Sequence, residues 1–199
     1  RVRPGDPDCP SEEQWAALKS RAGGRLRSPA SPLAACSAAP DSEACNDVLA
    51  QLDNPYYIGD DPALTQTLGW ADAWTSTPSA YVVAAASAAD VAAAVNFARE
   101  HHLRLVVKGG GHSYQGTSNA PDSLLVWTRA MNRIELHEEF VAQGCDSAAQ
   151  PAVSVGAGCV WMHVYEAVTT KGGRYVQGGG CGTVGVAGLI QSGGFGSHS

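Results

Sequence analysis

Two glycine-rich segments carry the residues of this chain best suited to chemistry. The first runs Lys108-Gly-Gly-Gly-His-Ser-Tyr-Gln-Gly-Thr117. The second runs Gly178-Gly-Gly-Cys-Gly-Thr-Val-Gly-Val-Ala-Gly188 and continues to Gly193-Gly-Phe-Gly196. Gly109, Gly110 and Gly111 leave successive backbone N–H groups unscreened by side chains, and such a turn can close around a pyrophosphate as an anion-binding nest. His112 ends that run, so its imidazole would stand beside whatever the loop holds. Taken alone, a flexible turn with an exposed histidine explains it equally well. Cys181 lies inside the second segment, where a thiol at a crowded backbone suits nucleophilic attack once it has thiolate character.

Neither segment is a familiar phosphate loop. No Gly-Lys-[Ser/Thr] occurs anywhere, which excludes a P-loop. No helix with an apolar stripe follows the first segment. The second contains a formal G-x-G-x-x-G match at Gly180, Gly182 and Gly185, a pattern of low specificity by itself. A dinucleotide fingerprint also wants an acidic residue ~20 positions on, and a cysteine within its turn fits poorly. A cysteine-dependent hydrolase or transferase using Cys181 with a histidine has its minimum constellation here. No residue stands out as a general base. His163 falls on an apolar helix face and reads as packing, and Glu138 and Glu139 as a solvated strand end or turn; Tyr114, near the first loop, could line the site but reads more readily as packing.

The elements that would hold these loops can be read from pattern. Ser11 to about Arg21 reads as a helix capped by Ser11, with Glu12 and Glu13 in the first turn. Tyr81–Ala86 reads as a buried strand, and Ser87–His102 as a helix with Ser87 and Asp90 at capping-box spacing. Arg104–Lys108 reads as a second strand, and strand-helix-strand implies parallel pairing through a crossover. Ala152–Gly156 reads as a strand, Val160–Lys171 as a helix, and Tyr175-Val176 as the start of another strand. Residues 1–72 are turn-rich and read as an N-terminal extension wrapped on a larger body.

Composition narrows the function classes. Of 199 residues, 44% are apolar and 16% charged, a globular balance. With a net charge of -6 and only three lysines, nucleic acid is not an expected partner. No apolar stretch approaches the ~20 residues of a membrane span. The chain begins at Arg1 without a methionine, which reads as a processed or trimmed start. Cys36 and Cys45 bracket a small-residue loop and are expected as a disulfide, which implies a secreted or periplasmic protein. Setting Cys181 aside leaves five cysteines, an odd number. At least one is then free or paired outside the chain, with Cys9 the preferred choice.

Both glycine segments, in this order, resemble the vanillyl-alcohol oxidase/p-cresol methylhydroxylase superfamily, and within it the berberine-bridge-enzyme-like branch. The resemblance covers about residues 73 to 199. It implies an α+β, PCMH-type FAD-binding fold made of two small α/β subdomains. It implies domains at 1–72, the extension, and 73–199, the FAD-binding domain, truncated before the substrate domain. It implies FAD bonded covalently twice, through His112 and Cys181. The cofactor-binding set is then His112, Cys181, Gly109, Gly110, Gly111, Ser113, Gly180, Val184, Gly185 and Gly188.

The implied reaction removes a hydride from an alcohol, sugar, phenolic or natural-product substrate. Molecular oxygen is the acceptor and hydrogen peroxide the product; a dehydrogenase with another acceptor is the alternative. A catalytically dead flavin-fold binding module is a further reading. Val184 is the expected oxygen gate, since the resemblance places it on the face of the flavin that oxygen uses. The general base and most substrate contacts are expected in the missing C-terminal part. Ser199 is accordingly not expected as a natural end, and a second chain or fragment would carry the remainder. Two departures stand out: Ala187 replaces a family glycine, and the histidine that relatives often place after this stretch is absent, so its tuning role has no residue here.

Overall fold

A computed structural model describes residues 1–197. Local signals place the first helix. In α1 (Glu12–Arg21), the Ser11 hydroxyl accepts from Gln14 N–H while the Gln14 side chain returns to Ser11 N–H, satisfying two donors that a helix start otherwise leaves open. The same reciprocal cap forms at α5 (Ala88–Glu100) between Ser87 and Asp90, so aspartate serves where glutamate is usual. Asp90 also pairs with Arg25 Nη2 at 2.7 Å. Burial opposes its charge, but Arg25, the Ala86 N–H and Ser87 hold its pKa below the usual carboxylate value.

The first sheet has four strands in the order β1 (Leu26–Arg27), β4 (Tyr81–Ala84), β6 (Ser123–Trp127), β5 (Arg104–Lys108). β6 runs parallel to both neighbours, with Tyr81 opposite Leu124 and Lys108 opposite Trp127. β1 joins the far edge antiparallel. The strands before and after α5 are therefore parallel, as the strand-helix-strand pattern implies, but they are not neighbours. The reason is burial. All five residues of β6 are buried, and a central position is the one that covers both faces. β5 mixes buried and exposed positions and takes the edge, with Val107 58% exposed. Leu18, Ala22 and Leu26 enter the core with Phe97, Ala98, Leu124 and Val126, and Trp15 stacks on Tyr81 at 4.0 Å. The N-terminal stretch thus supplies part of this core.

Between these elements lie α2 (Ala34–Ala38) and α3 (Glu43–Gln51), joined by the Cys36–Cys45 disulfide. α4 (Pro55–Gly59) and a hairpin of β2 (Gly69–Trp70) with β3 (Trp74–Thr75) follow. The second unit is an antiparallel pair, β7 (Ile134–Phe140) with β8 (Gln150–Val155), and two helices, α6 (Trp161–Tyr165) and α7 (Val186–Gln191). Its core is Cys159, Trp161, Val164, Val168 and Val186. The helix expected over Val160–Lys171 forms, but its second half, Glu166–Lys171, winds as a π-helix. The strand expected at Tyr175-Val176 does not form: Arg174 N–H bonds Val168 O at 3.0 Å, tying the segment back to the helix rather than to a ladder. The four-stranded sheet and the β7–β8 pair, each backed by helices, with the β2–β3 hairpin as a third small sheet, make the α+β class that the sequence implies.

Candidate functional site

The first glycine loop leaves the carboxyl end of β5, beside the carboxyl end of β6. That is the side of a parallel sheet where ligands bind. The loop crosses the second glycine segment at very short range. A Cβ added to Gly110 would lie 2.7 Å from Gly185 N and 3.0 Å from Thr183 O; one added to Gly185 would lie 2.8 Å from Gly110 N. No side chain fits either place, which is why both are glycine. Gly111 has φ +78°, a left-handed conformation that glycine adopts without strain, and its carbonyl accepts from Gln66 N–H at 3.0 Å. The N–H groups of Gly109, Gly110, Gly111 and His112 donate no hydrogen bond among the described residues. Gly110 and Gly111 are nevertheless buried. Buried backbone donors are costly to leave unpaired, so this row of N–H groups fits an anionic ligand.

The crossing brings the two chemical residues together. His112 Nε2 lies 3.1 Å from the Thr183 hydroxyl, and Cys181 Sγ lies 3.5 Å from the same oxygen. Burial pushes the His112 imidazole below its ordinary pKa, with Thr183 working the other way. Hydrogen bonds from Thr183 draw the Cys181 thiol below its ordinary value, against a smaller effect of burial. Cys181 is exposed, Thr183 buried. Among the described residues there is no His/Cys/Asp/Glu cluster able to hold a metal ion.

Lys108, directly before the glycines, is buried to 3% exposure. Its ammonium donates to Pro62 O at 2.6 Å and Leu64 O at 2.8 Å, with Asp61 O at 3.5 Å. It thereby fastens residues 61–64 beneath the loop, and its stem lies 3.5 Å from where a Gly111 Cβ would sit. Burial pushes its pKa down to about 7, Asp61 pulling the other way.

The other expected site residues are spread around this crossing. Ser113 closes its own turn, its hydroxyl accepting from Gln115 N–H and Thr117 N–H at 3.2 Å each. Val184 is half-buried against the Trp161 cluster, and its carbonyl accepts from Trp161 N–H at 3.1 Å. Gly109 lies beside Ala157 O and Thr128 Oγ1. Gly180 is exposed, and Gly188 faces open space on α7. Tyr114 is not buried as packing would require: it is 72% exposed, its ring meets the Trp70 ring, tilted at 6.1 Å between centroids, and its carbonyl accepts from Trp74 Nε1–H at 3.0 Å. His163 is half-buried and stacks on Tyr56. Glu138 pairs with Arg174, and Glu139 is exposed.

Lys108 and Thr183 are the site residues that sequence reasoning missed. A charge at the end of an apolar strand, directly before the glycines, was a signal for the first. A hydroxyl two residues after the cysteine was a signal for the second.

A family of FAD-binding domains matches residues 78–199. The chain belongs to that family. The FAD-linked oxidoreductase malF of Malbranchea aurantiaca is 34% identical over 98% of this chain and 37% of its own length. The FAD-linked oxidoreductase easE of Epichloe festucae var. lolii is 33% identical over all of this chain and 36% of its own. Among solved structures, the VAO-type flavoprotein MtVAO615 of Myceliophthora thermophila aligns with a TM-score of 0.83 at 29% identity, covering 98% of this chain and 38% of that one. The chain spans little more than a third of these relatives. It is an FAD-binding domain of the VAO-type, FAD-linked oxidoreductase superfamily.

Proposed function

We propose that this FAD-binding domain holds FAD through two covalent bonds, at His112 and Cys181, within a berberine-bridge-enzyme-like oxidase. One observation carries the reading: residues from two distant motifs, an imidazole and a thiol, meet on a single buried hydroxyl. Gly109, Gly110, Gly111 and His112 would receive the pyrophosphate on their free N–H groups. The bound flavin supplies hydride acceptance, from an alcohol, sugar, phenolic or natural-product substrate, and its return to molecular oxygen as hydrogen peroxide. The residues of this chain bind and orient, while the general base belongs to the larger part of the protein, as a continuation or a second chain. The Cys36–Cys45 disulfide supports a secreted or periplasmic location.

The thiol, hydroxyl and imidazole also form the minimum set for a cysteine hydrolase. The unpaired N–H row and membership of an FAD-binding family favour the flavin. Denaturing the full-length protein separates the two. A yellow polypeptide that fluoresces at acidic pH after thioether oxidation is expected, and each single substitution, His112→Ala or Cys181→Ala, should leave the flavin held by the other bond. Complete release of FAD by denaturant from the unmodified protein overturns the covalent reading.

A further inference from the structure

Thr183 is held more firmly than a loop residue needs to be. On one side, Gly182 O accepts from Met162 N–H at 2.8 Å; on the other, Val184 O accepts from Trp161 N–H at 3.1 Å. Both neighbours are thus pinned to the first turn of α6, and the Thr183 carbonyl lies against the Gly110 backbone. With its backbone fixed on both flanks, the side chain has little freedom, and it is 9% exposed. Its hydroxyl meets His112 Nε2 and Cys181 Sγ.

A hydroxyl carries one hydrogen. It can donate to one of these groups while accepting from the other, so their protonation states are coupled. If Thr183 donates to sulfur, the sulfur is stabilised as thiolate, and the oxygen must accept from imidazole. The imidazole hydrogen then sits on Nε2, and Nδ1 keeps a free electron pair. In the opposite order, sulfur keeps its hydrogen and donates to oxygen, oxygen donates to Nε2, and Nδ1 carries the imidazole hydrogen. Only the first order leaves a nucleophilic pair on both residues at once. Burial around His112 favours the neutral ring that both orders hold, and the hydrogen bond from Thr183 that draws the Cys181 thiol below its ordinary pKa favours the first.

We propose that Thr183 is the positioning residue for both anchors: its hydroxyl accepts from His112 Nε2–H and donates to Cys181 Sγ, so that Nδ1 and the thiolate are presented together. The consequence for cofactor attachment rests on the bicovalent reading above; the coupling itself concerns residues of this chain alone.

The test uses the full-length protein as wild type, Thr183→Val and Thr183→Ser, with peptide mapping to find which peptides carry flavin. Valine keeps the shape and removes the hydroxyl; serine restores it. Flavin is expected on both the His112 and Cys181 peptides in wild type and Thr183→Ser. In Thr183→Val the flavin-bearing fraction of the Cys181 peptide is expected to fall about tenfold, the effect of losing one hydrogen bond to a charged group. Wild-type attachment in Thr183→Val, or equal loss in Val and Ser, overturns the proposal. If wild type carries no covalent flavin, the bicovalent reading falls, and Cys181 is then a free thiol. Its alkylation rate at neutral pH decides the matter: slower in Thr183→Val than in wild type and Thr183→Ser upholds the role of Thr183, and equal rates end it. Should Thr183→Val be insoluble, Thr183→Ala compared with Thr183→Ser takes the same readouts.

Discussion

Lys108 sets a cost against a benefit at a single residue. Its burial disfavours the ammonium, while the carbonyls of Pro62 and Leu64 take its hydrogens. Replacing it with methionine leaves those acceptors buried without a donor, at about 1–3 kcal/mol. Denaturant titration near pH 7 should show a loss of that size in Lys108→Met, and an unchanged midpoint would remove the structural role. The pH dependence has a definite sign. The folded-state pKa is about 7 against an ordinary 10.5, so between these values the unfolded chain binds the extra proton, and stability rises with pH across that window. Wild type should gain stability from pH 7 to pH 10 through this group, and Lys108→Met should lose that part of the slope. At Val184 the question is oxygen rather than stability. The side chain packs on the Trp161 cluster in a glycine-flanked turn, and such packed sites relax poorly around an extra methylene. We expect Val184→Leu to slow reoxidation of the anaerobically reduced full-length protein by oxygen about tenfold, equivalent to roughly 1.4 kcal/mol of barrier. Slow reoxidation in wild type itself would point to a dehydrogenase with another acceptor.

The two glycine loops behave as one element because their backbones touch. Glycines three residues apart in the same motif should therefore respond oppositely to alanine. At Gly185 the new methyl would stand 2.8 Å from Gly110 N, and at Gly110 the reverse contact is 2.7 Å. Gly110→Ala or Gly185→Ala must push the loops apart, at about 1–3 kcal/mol, with a matching fall in the melting temperature. Gly188 has nothing within 4 Å and lies in α7, where alanine is favoured over glycine by roughly 0.5–1 kcal/mol. Gly188→Ala should leave the melting temperature of FAD-free protein equal or higher. A drop in FAD loading in that variant would show that the cofactor approaches Gly188; unchanged loading would remove it from the binding set. The caps of α1 and α5 and the strand Arg104–Lys108 are legible from sequence because each is written within a few consecutive residues. The Gly110–Gly185 contact is not, because the reason for a glycine there lies on a different part of the chain.

At the scale of the whole molecule, a sheet edge and several large apolar side chains face outward. β5 is a sheet edge with Val107 58% exposed; Tyr175 is 72%, Ile190 64% and Phe195 80% exposed. Unpaired edges and exposed apolar side chains promote association. We expect residues 1–199 produced alone to self-associate on size-exclusion chromatography, whereas the full-length protein stays at a defined size. A stable monomer of residues 1–199 loaded with FAD would refute this. Non-reducing peptide mapping of the same material should recover Cys36 linked to Cys45; both as free thiols would contradict the disulfide.

The sequence by itself singled out the two glycine segments as candidates and placed α1, α5, the α6 segment, β4 and β5, since these depend on caps, periodicity and short runs of consecutive residues; the α+β class followed from the resemblance those two motifs carry. Tertiary structure alone decided that β6 separates β4 from β5, because burial on both faces of Ser123–Trp127 outweighs adjacency along the chain. It alone placed Lys108 in a cage of carbonyls and set Thr183 between His112 and Cys181. Those contacts join residues far apart in the chain, and no local pattern specifies the distance at which a hydroxyl, a thiol and an imidazole will meet.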